Sequence, residues 1–316
     1  MESIKKVLVP TDFSENASSA YEHALEIARR FNATVDFIHI IPTLKYFSES
    51  IAQMGGTLDM EGEIYPKAQK NSIQKMEKLM EECLPEEYRG EAICKIGRKP
   101  SARIVDWARD GGYDLIVVAS KGKHETHLLR GSITEKLIRH SEVPIFSVDK
   151  KLSSDGLNRI LLPTDGSQLS FLALPMALSL AEIYGTEIIF YHALELYGEE
   201  IRGGDAGENP QDDNIYETIV DRLEAYLDTG PQDHISVSHE QESKSGRFEI
   251  DEEGGACSVP FTIVIEKSVS AHLGIESYAE TNADIVVMAT HGRSGWARLF
   301  LGSTTEKVSK HLAIPV

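Results

Sequence analysis

The amino-acid sequence predicts an α/β protein of two tandem domains, each a five-stranded parallel sheet with helices on both faces. Short apolar runs alternate with helical patterns, which is typical of βαβ units. The same pieces occur twice in the same order, which indicates a duplication. Each copy of roughly 150 residues can bury a core of its own. We therefore expect domains at residues 1–150 and 159–316, joined by a linker at 151–158.

Three pairs of segments carry the duplication, at spacings of 153, 170 and 171 residues. They match in sequence and in order along the chain. The pairs are Val7–Asp12 with Ile160–Asp165, Asp114–Gly122 with Asp284–Gly292, and Gly131–Glu135 with Gly302–Glu306.

In the first copy, apolar runs and helical spacing predict strands at 6–10, 34–41, 91–96, 114–119 and 143–148. Helices are predicted at 14–31, 66–83, 101–110 and 132–140, with Ser14 as a candidate N-cap. Residues 42–63 show no clear period and are expected to form a long loop or lid.

The second copy repeats this order, with strands at 159–163 and 186–193 and helices at 169–184 and 214–227. The acidic, glycine-rich segment 195–213 is again expected to be a lid-like loop. An insertion spans about 229–260, with a hairpin expected around 247–255, and 261–266 then corresponds to the third strand. The last strand, which begins near residue 313, is expected to be short or clipped.

Charge and composition limit the kinds of partner. The chain has 32 basic and 50 acidic residues, so its formal net charge is −18. Residues 1–150 hold 21 basic and 23 acidic residues, a net of −2, and residues 151–316 hold 11 and 27, a net of −16. Such an acidic half is a poor partner for nucleic acid or for an anionic membrane.

Cysteine use and the apolar segments bear on location. The three cysteines form no C-x-x-C pair and predict neither a disulfide framework nor a zinc site, which suits a reducing compartment. The sequence shows no signal peptide and no run long enough to span a membrane. We therefore expect a cytoplasmic protein.

A phosphate-binding loop is the first candidate site. In the segment Ile285–Glu306 an apolar strand is followed by a glycine-rich loop and a helix that starts at Gly-Ser-Thr-Thr-Glu. Glycines let backbone amides approach an anion, and a helix start offers unpaired N–H groups and the favourable end of the dipole. The alternative is plain helix capping, because Ser303 and Glu306 fit an S-x-x-E capping box.

The expected strand order places an aspartate beside this loop. Ligands of doubly wound sheets bind outside the carboxyl ends of the strands, where the strand order reverses. If the first and fourth strands flank that point, Asp12 meets the loop at Gly122. A carboxylate there could accept hydrogen bonds from a ribose or an adenine amino group, and the alternative is a turn or capping aspartate.

Both halves resemble the universal stress protein family, over nearly the whole chain. Its nucleotide-binding members carry G-x-x-G-x9-G-[ST] after strand four and P-x-D after strand one. In the second copy Gly292, nine residues and then Gly302-Ser303 fit this pattern, with Ala289 in place of the first glycine. The first copy has only eight residues between Gly122 and Gly131. Broken patterns often accompany loss of ATP binding in the family, so the second domain is favoured.

The resemblance implies two tandem Rossmann-like domains of the adenine nucleotide alpha hydrolase type and a stress-response regulator that binds ATP. AMP and ADP are alternative ligands, and Mg²⁺ is a candidate companion ion. The phosphates are assigned to the glycine loop and helix start, and the nucleoside to Asp165 and to the backbone near Ala193 and Met288. The cofactor-binding candidates in the second domain are Pro163, Thr164, Asp165, Ala193, Met288, Ala289, His291, Gly292, Arg293, Gly302, Ser303, Thr304 and Thr305. The weaker set in the first domain is Pro10, Thr11, Asp12, Ile40, Gly122, Gly131 and Ser132.

The resemblance also implies packing of two domains through strand five. A tandem chain can form that pair internally, as a pseudo-dimer, and can dimerise again. A protein partner is left open.

The sequence gives only weak signals for metal binding, phosphate clamping by arginine or catalysis by histidine. His124-Glu125-Thr126-His127 is one residue short of H-E-x-x-H, so no metal site is predicted. Arg293 and Arg298 could clamp phosphates or could be solvated. His39 and His192 occupy equivalent strand positions and are expected to be hydrogen-bonded core residues rather than catalysts.

No dedicated catalytic base is evident, and an enzyme is not favoured. Two rivals to a nucleotide-binding regulator remain. One is a slow Mg²⁺-dependent ATPase or phosphotransferase that uses Asp165. The other is an interaction module that binds no nucleotide and docks through its acidic half. A different small ligand in the same clefts is a third possibility.

Overall fold

The computed structural model describes residues 4–43, 59–120, 131–149, 157–196, 210–229, 234–252, 255–290, 302–312 and 314–316. The chain forms two compact units, one with the described residues 4–149 and the other with 157–316.

The first unit is built on a parallel sheet, as expected. Its strands are β1 (Lys6–Pro10), β2 (Thr34–Pro42), β3 (Arg89–Gly97), β4 (Leu115–Ala119) and β5 (Ile145–Val148). Their order is β3-β2-β1-β4-β5, and every neighbouring pair is parallel. The strand order reverses between β1 and β4, which is the position where doubly wound sheets generally bind ligands.

Helices cover both faces of this sheet. They are α1 (Ser18–Phe31), α2 (Tyr65–Cys83), α3 (Pro100–Asp110) and α4 (Ser132–His140). Ile104 of α3 and Leu137 of α4 pack with Leu8 and Ile116 in one core cluster. On the other face the Tyr21 ring of α1 packs on Phe37, with ring centroids 5.0 Å apart.

Two features of the first unit depart from the sequence prediction by more than two residues. Helix α1 begins at Ser18 rather than near Ser14, and the Ser14 hydroxyl instead accepts a hydrogen bond from the Ala17 amide in the turn before the helix. Residues 60–64 of the predicted loop form a turn of π-helix that leads into α2. The rest of that predicted lid, 44–58, lies outside the described residues.

The second unit has a mixed sheet. Its strands are β6 (Arg159–Pro163), β7 (Glu187–Glu195), β8 (Ile235–Glu240), β9 (Ser245–Glu252), β10 (Gly255–Ser268) and β11 (Ile285–Val286). Within the described residues their order is β11-β6-β7-β10-β9-β8. The pairs β11–β6, β6–β7 and β7–β10 are parallel, whereas β9 is antiparallel to both β10 and β8.

The insertion explains why this sheet is not the expected five parallel strands. Residues 235–252 fold as a β8–β9 hairpin, and β10 is long enough to pair with β9 through Thr262 while it pairs with β7 from Phe261. The predicted third strand therefore lies within β10, and the predicted hairpin around 247–255 falls on β9 and the start of β10. The α/β fold class is confirmed, with an antiparallel extension added to the second sheet.

The helices of the second unit are α5 (Gln168–Phe171), α6 (Leu174–Tyr184), α7 (Pro210–Thr229), α8 (Ala271–Asn282) and α9 (Ser303–His311). One continuous helix was expected over 169–184. The chain instead restarts at Leu174, because Pro175 in the first turn of α6 has no N–H to continue the preceding helix.

The end of the chain pairs with β11, where the carbonyl of Pro315 accepts a hydrogen bond from the Val286 amide at 3.0 Å. The carbonyl of Pro144 accepts the equivalent bond from Ile116 at 2.9 Å in the first unit, just before β5. Residues 314–316 therefore begin where the fifth strand is expected.

Candidate functional site

The candidate site of each unit lies at the carboxyl ends of three adjacent strands. In the second unit Ile160 of β6 pairs with Ile285 of β11, and Pro163 pairs with Tyr191 of β7. The segments that follow these strands therefore emerge at one edge of the sheet. The first unit repeats the arrangement with β1 between β2 and β4.

A threonine opens the loop after the first strand of each unit. The Thr164 amide donates to the carbonyl of Tyr191 at 2.9 Å, and the buried Thr164 hydroxyl contacts the Ser170 hydroxyl at 2.7 Å. The same hydroxyl accepts a hydrogen bond from the Gly166 amide at 3.0 Å. These bonds fix the backbone of the loop that carries Asp165.

The two strand histidines make the same hydrogen bond in both copies. His39 Nδ1 lies 2.7 Å from the carbonyl oxygen of Thr11, and His192 Nδ1 lies 2.9 Å from that of Thr164. A carbonyl can only accept, so the ring proton is assigned to Nδ1. Both histidines therefore support the loop after strand one, which agrees with the expectation of a hydrogen-bonded residue.

Asp165 is exposed, and its carboxylate organises its own loop. Its Oδ1 accepts a hydrogen bond from the Ser167 amide at 2.9 Å, as Asp12 Oδ1 does from the Ser14 amide at 2.9 Å. Although the side chain is exposed, nearby protein atoms partly desolvate the Asp165 carboxyl group and so raise its pKa, but hydrogen bonds from Ser167 and Ser170 outweigh this effect and hold the pKa below its usual range. The group stays ionised at neutral pH and can still accept further hydrogen bonds.

The start of α9 is the second part of the site. Its N-cap is Gly302, and in this described stretch no side chain caps the helix. Ser303 is the first helical residue rather than the N-cap, and the Glu306 carboxylate accepts from Lys310 Nζ at 2.8 Å. The alternative of a capping box with Ser303 as the N-cap is therefore wrong, because the N-cap is Gly302.

A buried threonine ties this helix start to the end of the fourth strand. The hydroxyl of Thr305 donates to the carbonyl of Ala289 at 3.1 Å. In the first unit the hydroxyl of Thr134 donates to the carbonyl of Ala119 at 2.9 Å. The two helix starts are thus held beside the sheet edge by the same bond.

Several predicted residues of the second unit can be placed at this edge. Pro163 and Thr164 are buried, whereas Ala193 and Met288 are half-buried on the face that carries the Tyr191 and Val286 core cluster. Gly302 and Ser303 are exposed, and Thr304 is half-buried. The predicted residues His291, Gly292, Arg293 and Arg298 lie outside the described residues.

The first unit places its weaker candidates in the same way. Pro10, Thr11 and Ile40 are buried, and Asp12 is exposed. Gly131 is the N-cap of α4, followed by the exposed Ser132. Gly122 and the segment 124–127 lie outside the described residues.

Sequence reasoning missed the residues that shape the strand-one loop. Gly166 has a φ of 73°, and its counterpart Phe13 has a φ of 61°, a left-handed conformation that is strained for a phenylalanine. Ser167 is the N-cap of α5, and its hydroxyl accepts a hydrogen bond from the Ser170 amide. The Asp-Gly-Ser sequence in residues 165–167 is the turn signal that could have revealed this loop.

The profile of the universal stress protein family matches residues 3–148 and again residues 156–316. The chain belongs to the universal stress protein family. The two matches cover nearly the whole chain, so it is a tandem universal stress protein.

Individual relatives agree with this membership. Universal stress protein MJ0577 of Methanocaldococcus jannaschii is 31% identical over 158 residues, which are 47% of this chain and 97% of the relative. A universal stress protein of Mycolicibacterium smegmatis is 21% identical over 319 residues, with 98% of this chain and 95% of the relative covered. The crystal structure of a universal stress protein from Archaeoglobus fulgidus covers 98% of this chain and 96% of its own, with a TM-score of 0.58 at 17% identity, and shows the same fold.

Among the described residues, no helix is both long enough and apolar enough to cross a bilayer.

Proposed function

We propose that this tandem universal stress protein is a stress-response regulator that binds ATP, or a related adenine nucleotide, mainly in its second domain. The domains are taken as residues 1–150 and 159–316. The phosphates are assigned to the amides at the start of α9, and the nucleoside to the loop of Asp165 and the backbone near Ala193 and Met288.

One observation carries the proposal. The N-terminus of α9 is held against the strand edge by Thr305, yet no described side chain caps it. A helix start has N–H groups without partners inside the helix, and together with the dipole they favour an anion. The exposed Gly302 and Ser303 leave this end open to a ligand, and Asp165 follows the adjacent strand.

The state of Asp165 favours binding over catalysis. A general base works best when its pKa lies near the working pH, whereas the pKa of Asp165 lies below its usual range. This carboxylate suits hydrogen bonding to a ribose or to an adenine amino group. Mg²⁺ would be held chiefly by the nucleotide phosphates in such a site.

The test is a calorimetric titration of ATP with Mg²⁺ into the intact chain after bound ligands have been removed. We expect about one site per chain. The variant Gly302→Val should remove it, whereas the equivalent Gly131→Val should not. Gly302 has a φ of −57°, and a Cβ added there meets only Thr305 Oγ1 at 3.7 Å, so neither the backbone conformation nor the first side-chain carbon is strained. Binding that survives Gly302→Val would contradict the proposal.

The remaining expectations are part of the same proposal. We place the protein in the cytoplasm, with an internal pseudo-dimer of its two domains and a further homodimer. A chain that binds no nucleotide would instead favour an interaction module, with its acidic second half as the docking surface.

A further inference from the structure

The loop after the first strand is anchored differently in the two domains. In the first domain the ring of Phe13 packs on that of His39, with centroids 4.7 Å apart, and Lys75 Nζ of α2 lies 4.2 Å from the Phe13 centroid. In the second domain the corresponding residue is Gly166, which has no side chain to pack. There Arg222 Nη1 of α7 donates a hydrogen bond to the Gly166 carbonyl at 3.3 Å.

The two cations occupy equivalent positions on equivalent helices. Each directly precedes a buried apolar residue, and a second one follows four positions later, Met76 and Met80 in α2 and Leu223 and Leu227 in α7. Arg222 is also the only basic residue among the 20 of α7, which include six acidic residues. The residue after the aspartate and the cation that contacts it have therefore changed together between the two domains.

Both arrangements leave the carboxylate loop in a similar conformation. Phe13 has a φ of 61° and Gly166 a φ of 73°. In each domain the aspartate Oδ1 accepts a hydrogen bond at 2.9 Å from the amide two residues later. A glycine has more backbone freedom than a phenylalanine and no side chain to anchor it. The loop of the second domain therefore needs a contact from another element to keep this conformation.

We propose that Arg222 is a positioning residue of the second-domain site, which holds the loop of Asp165 in the conformation that receives the nucleoside of the ligand. The inference rests on the proposed function, because it assigns a support to the nucleoside half of that site.

The geometry of one peptide unit explains how Arg222 acts. The Gly166 carbonyl and the Ser167 amide belong to the same planar unit. Arg222 binds the oxygen of this unit, and its N–H donates to Asp165 Oδ1. On the other side of Gly166, its buried amide donates to the Thr164 hydroxyl at 3.0 Å. Loss of the arginine would free the unit to rotate, and a ligand would then have to order the loop as it binds.

The first test is Arg222→Ala in the full chain, with calorimetric titration of adenosine, ATP with Mg²⁺, and inorganic triphosphate with Mg²⁺. We expect adenosine and ATP to bind roughly tenfold more weakly and triphosphate to be unchanged. Lys75→Ala is the matched control, because it removes the same charge from the equivalent helix position, and it should alter none of the three. Unchanged adenosine affinity in Arg222→Ala, or weaker triphosphate binding, would overturn the positioning role.

A second variant distinguishes positioning from direct contact with the ligand. Gly166→Phe combined with Arg222→Lys transfers the anchor of the first domain to the second, where His192 corresponds to His39. A Cβ at Gly166 comes nearest to Arg222 Nη1, at 3.4 Å, which is the flexible end of the side chain being replaced. We expect adenosine affinity within about threefold of the unmutated chain. Binding as weak as in Arg222→Ala would show that Arg222 contacts the ligand itself.

Amide hydrogen exchange without ligand separates this inference from the proposed function. In Arg222→Ala the amides of Gly166 and Ser167 should exchange about tenfold faster, and the double variant should reverse the change. Unaltered exchange would overturn the positioning role whatever the ligand. An unmutated chain that binds neither ATP nor adenosine would refute the proposed function, and the exchange rates would still decide whether Arg222 holds the loop.

Discussion

At the scale of single residues, the site depends on which groups are already satisfied by the protein. In the loop after β6, Thr164, Asp165 and Ser170 satisfy one another, so this loop is organised before any ligand arrives. At the start of α9 the fold supplies Thr305 as a tether, and none of the described side chains caps the helix. A site with rigid positioning groups and open donors is suited to an anion, because little must be reordered on binding.

Gly302→Asp separates capping from ligand binding. Gly302 has φ −57° and ψ 135°, which suits an N-cap residue. The carboxylate of an aspartate at this position can therefore accept hydrogen bonds from backbone N–H groups in the first turn of α9. We expect the free energy of unfolding to stay the same or rise by up to about 1 kcal/mol. ATP binding should weaken by about 100-fold or more, because the carboxylate occupies the amides and repels phosphate.

Urea unfolding and ATP titration measure the two effects. Gly131→Asp is the control, since Gly131 is the N-cap of α4 with φ −64° and ψ 141°. It should leave ATP binding intact. Unaltered ATP affinity in Gly302→Asp would show that the phosphates lie elsewhere.

At the scale of elements, the insertion is part of the second domain's core rather than an appendage. Phe248 of β9 is fully buried, with its ring centroid 4.8 Å from that of Phe261 and 6.1 Å from that of Phe190. The hairpin therefore extends the sheet and also completes the packing around β7 and β10. Its role in stability can be separated from any role in binding.

Phe248→Ala should lower the free energy of unfolding of the second domain by about 3–5 kcal/mol, as expected for a buried phenylalanine. The exposed Ser236 on β8 provides the control, and Ser236→Ala should stay within about 0.5 kcal/mol of the unmutated chain. Chemical denaturation followed by far-UV circular dichroism measures the free energy of unfolding of both variants. A cost below about 1 kcal/mol for Phe248→Ala would mean that the hairpin is only loosely attached.

How far the sequence predicts these elements depends on whether a local signal decides them. The bounds of α4 and β6 agree with prediction. A glycine directly before the helical period marks the start of α4, and a short apolar run marks β6. The S-x-x-E pattern at Ser303 was misleading, since local sequence cannot tell an N-cap from the first helical residue. The tertiary bond between Thr305 and Ala289 lies at that helix start, and no short-range pattern encodes it.

At the scale of the whole molecule, the duplication has kept the framework and changed the charge. The tether from helix to strand and the histidine bond recur in both domains. The halves nevertheless differ in net charge, −2 against −16, and the more acidic half is the one proposed to bind the anion. Local donors at a helix start must therefore outweigh the field of the domain, and solvent ions screen that field over about one Debye length.

This asymmetry leads to a prediction for hydrogen exchange in the intact chain. ATP at 100 times its Kd stabilises the state that binds it by about 2.7 kcal/mol, so amides that exchange only through unfolding of that domain should slow by about 100-fold. We expect protection in β6, β7 and α9 of the second domain. The equivalent β1, β2 and α4 provide an internal control in the same sample and should be unchanged. Mass spectrometry of peptides from both domains, with and without ATP and Mg²⁺, measures the difference in exchange rate.

Equal slowing of exchange in both domains would show either two occupied sites or coupled unfolding of the domains. Repeating the measurement with Gly131→Val distinguishes the two, because the first domain would lose its protection only if a second site there had been occupied.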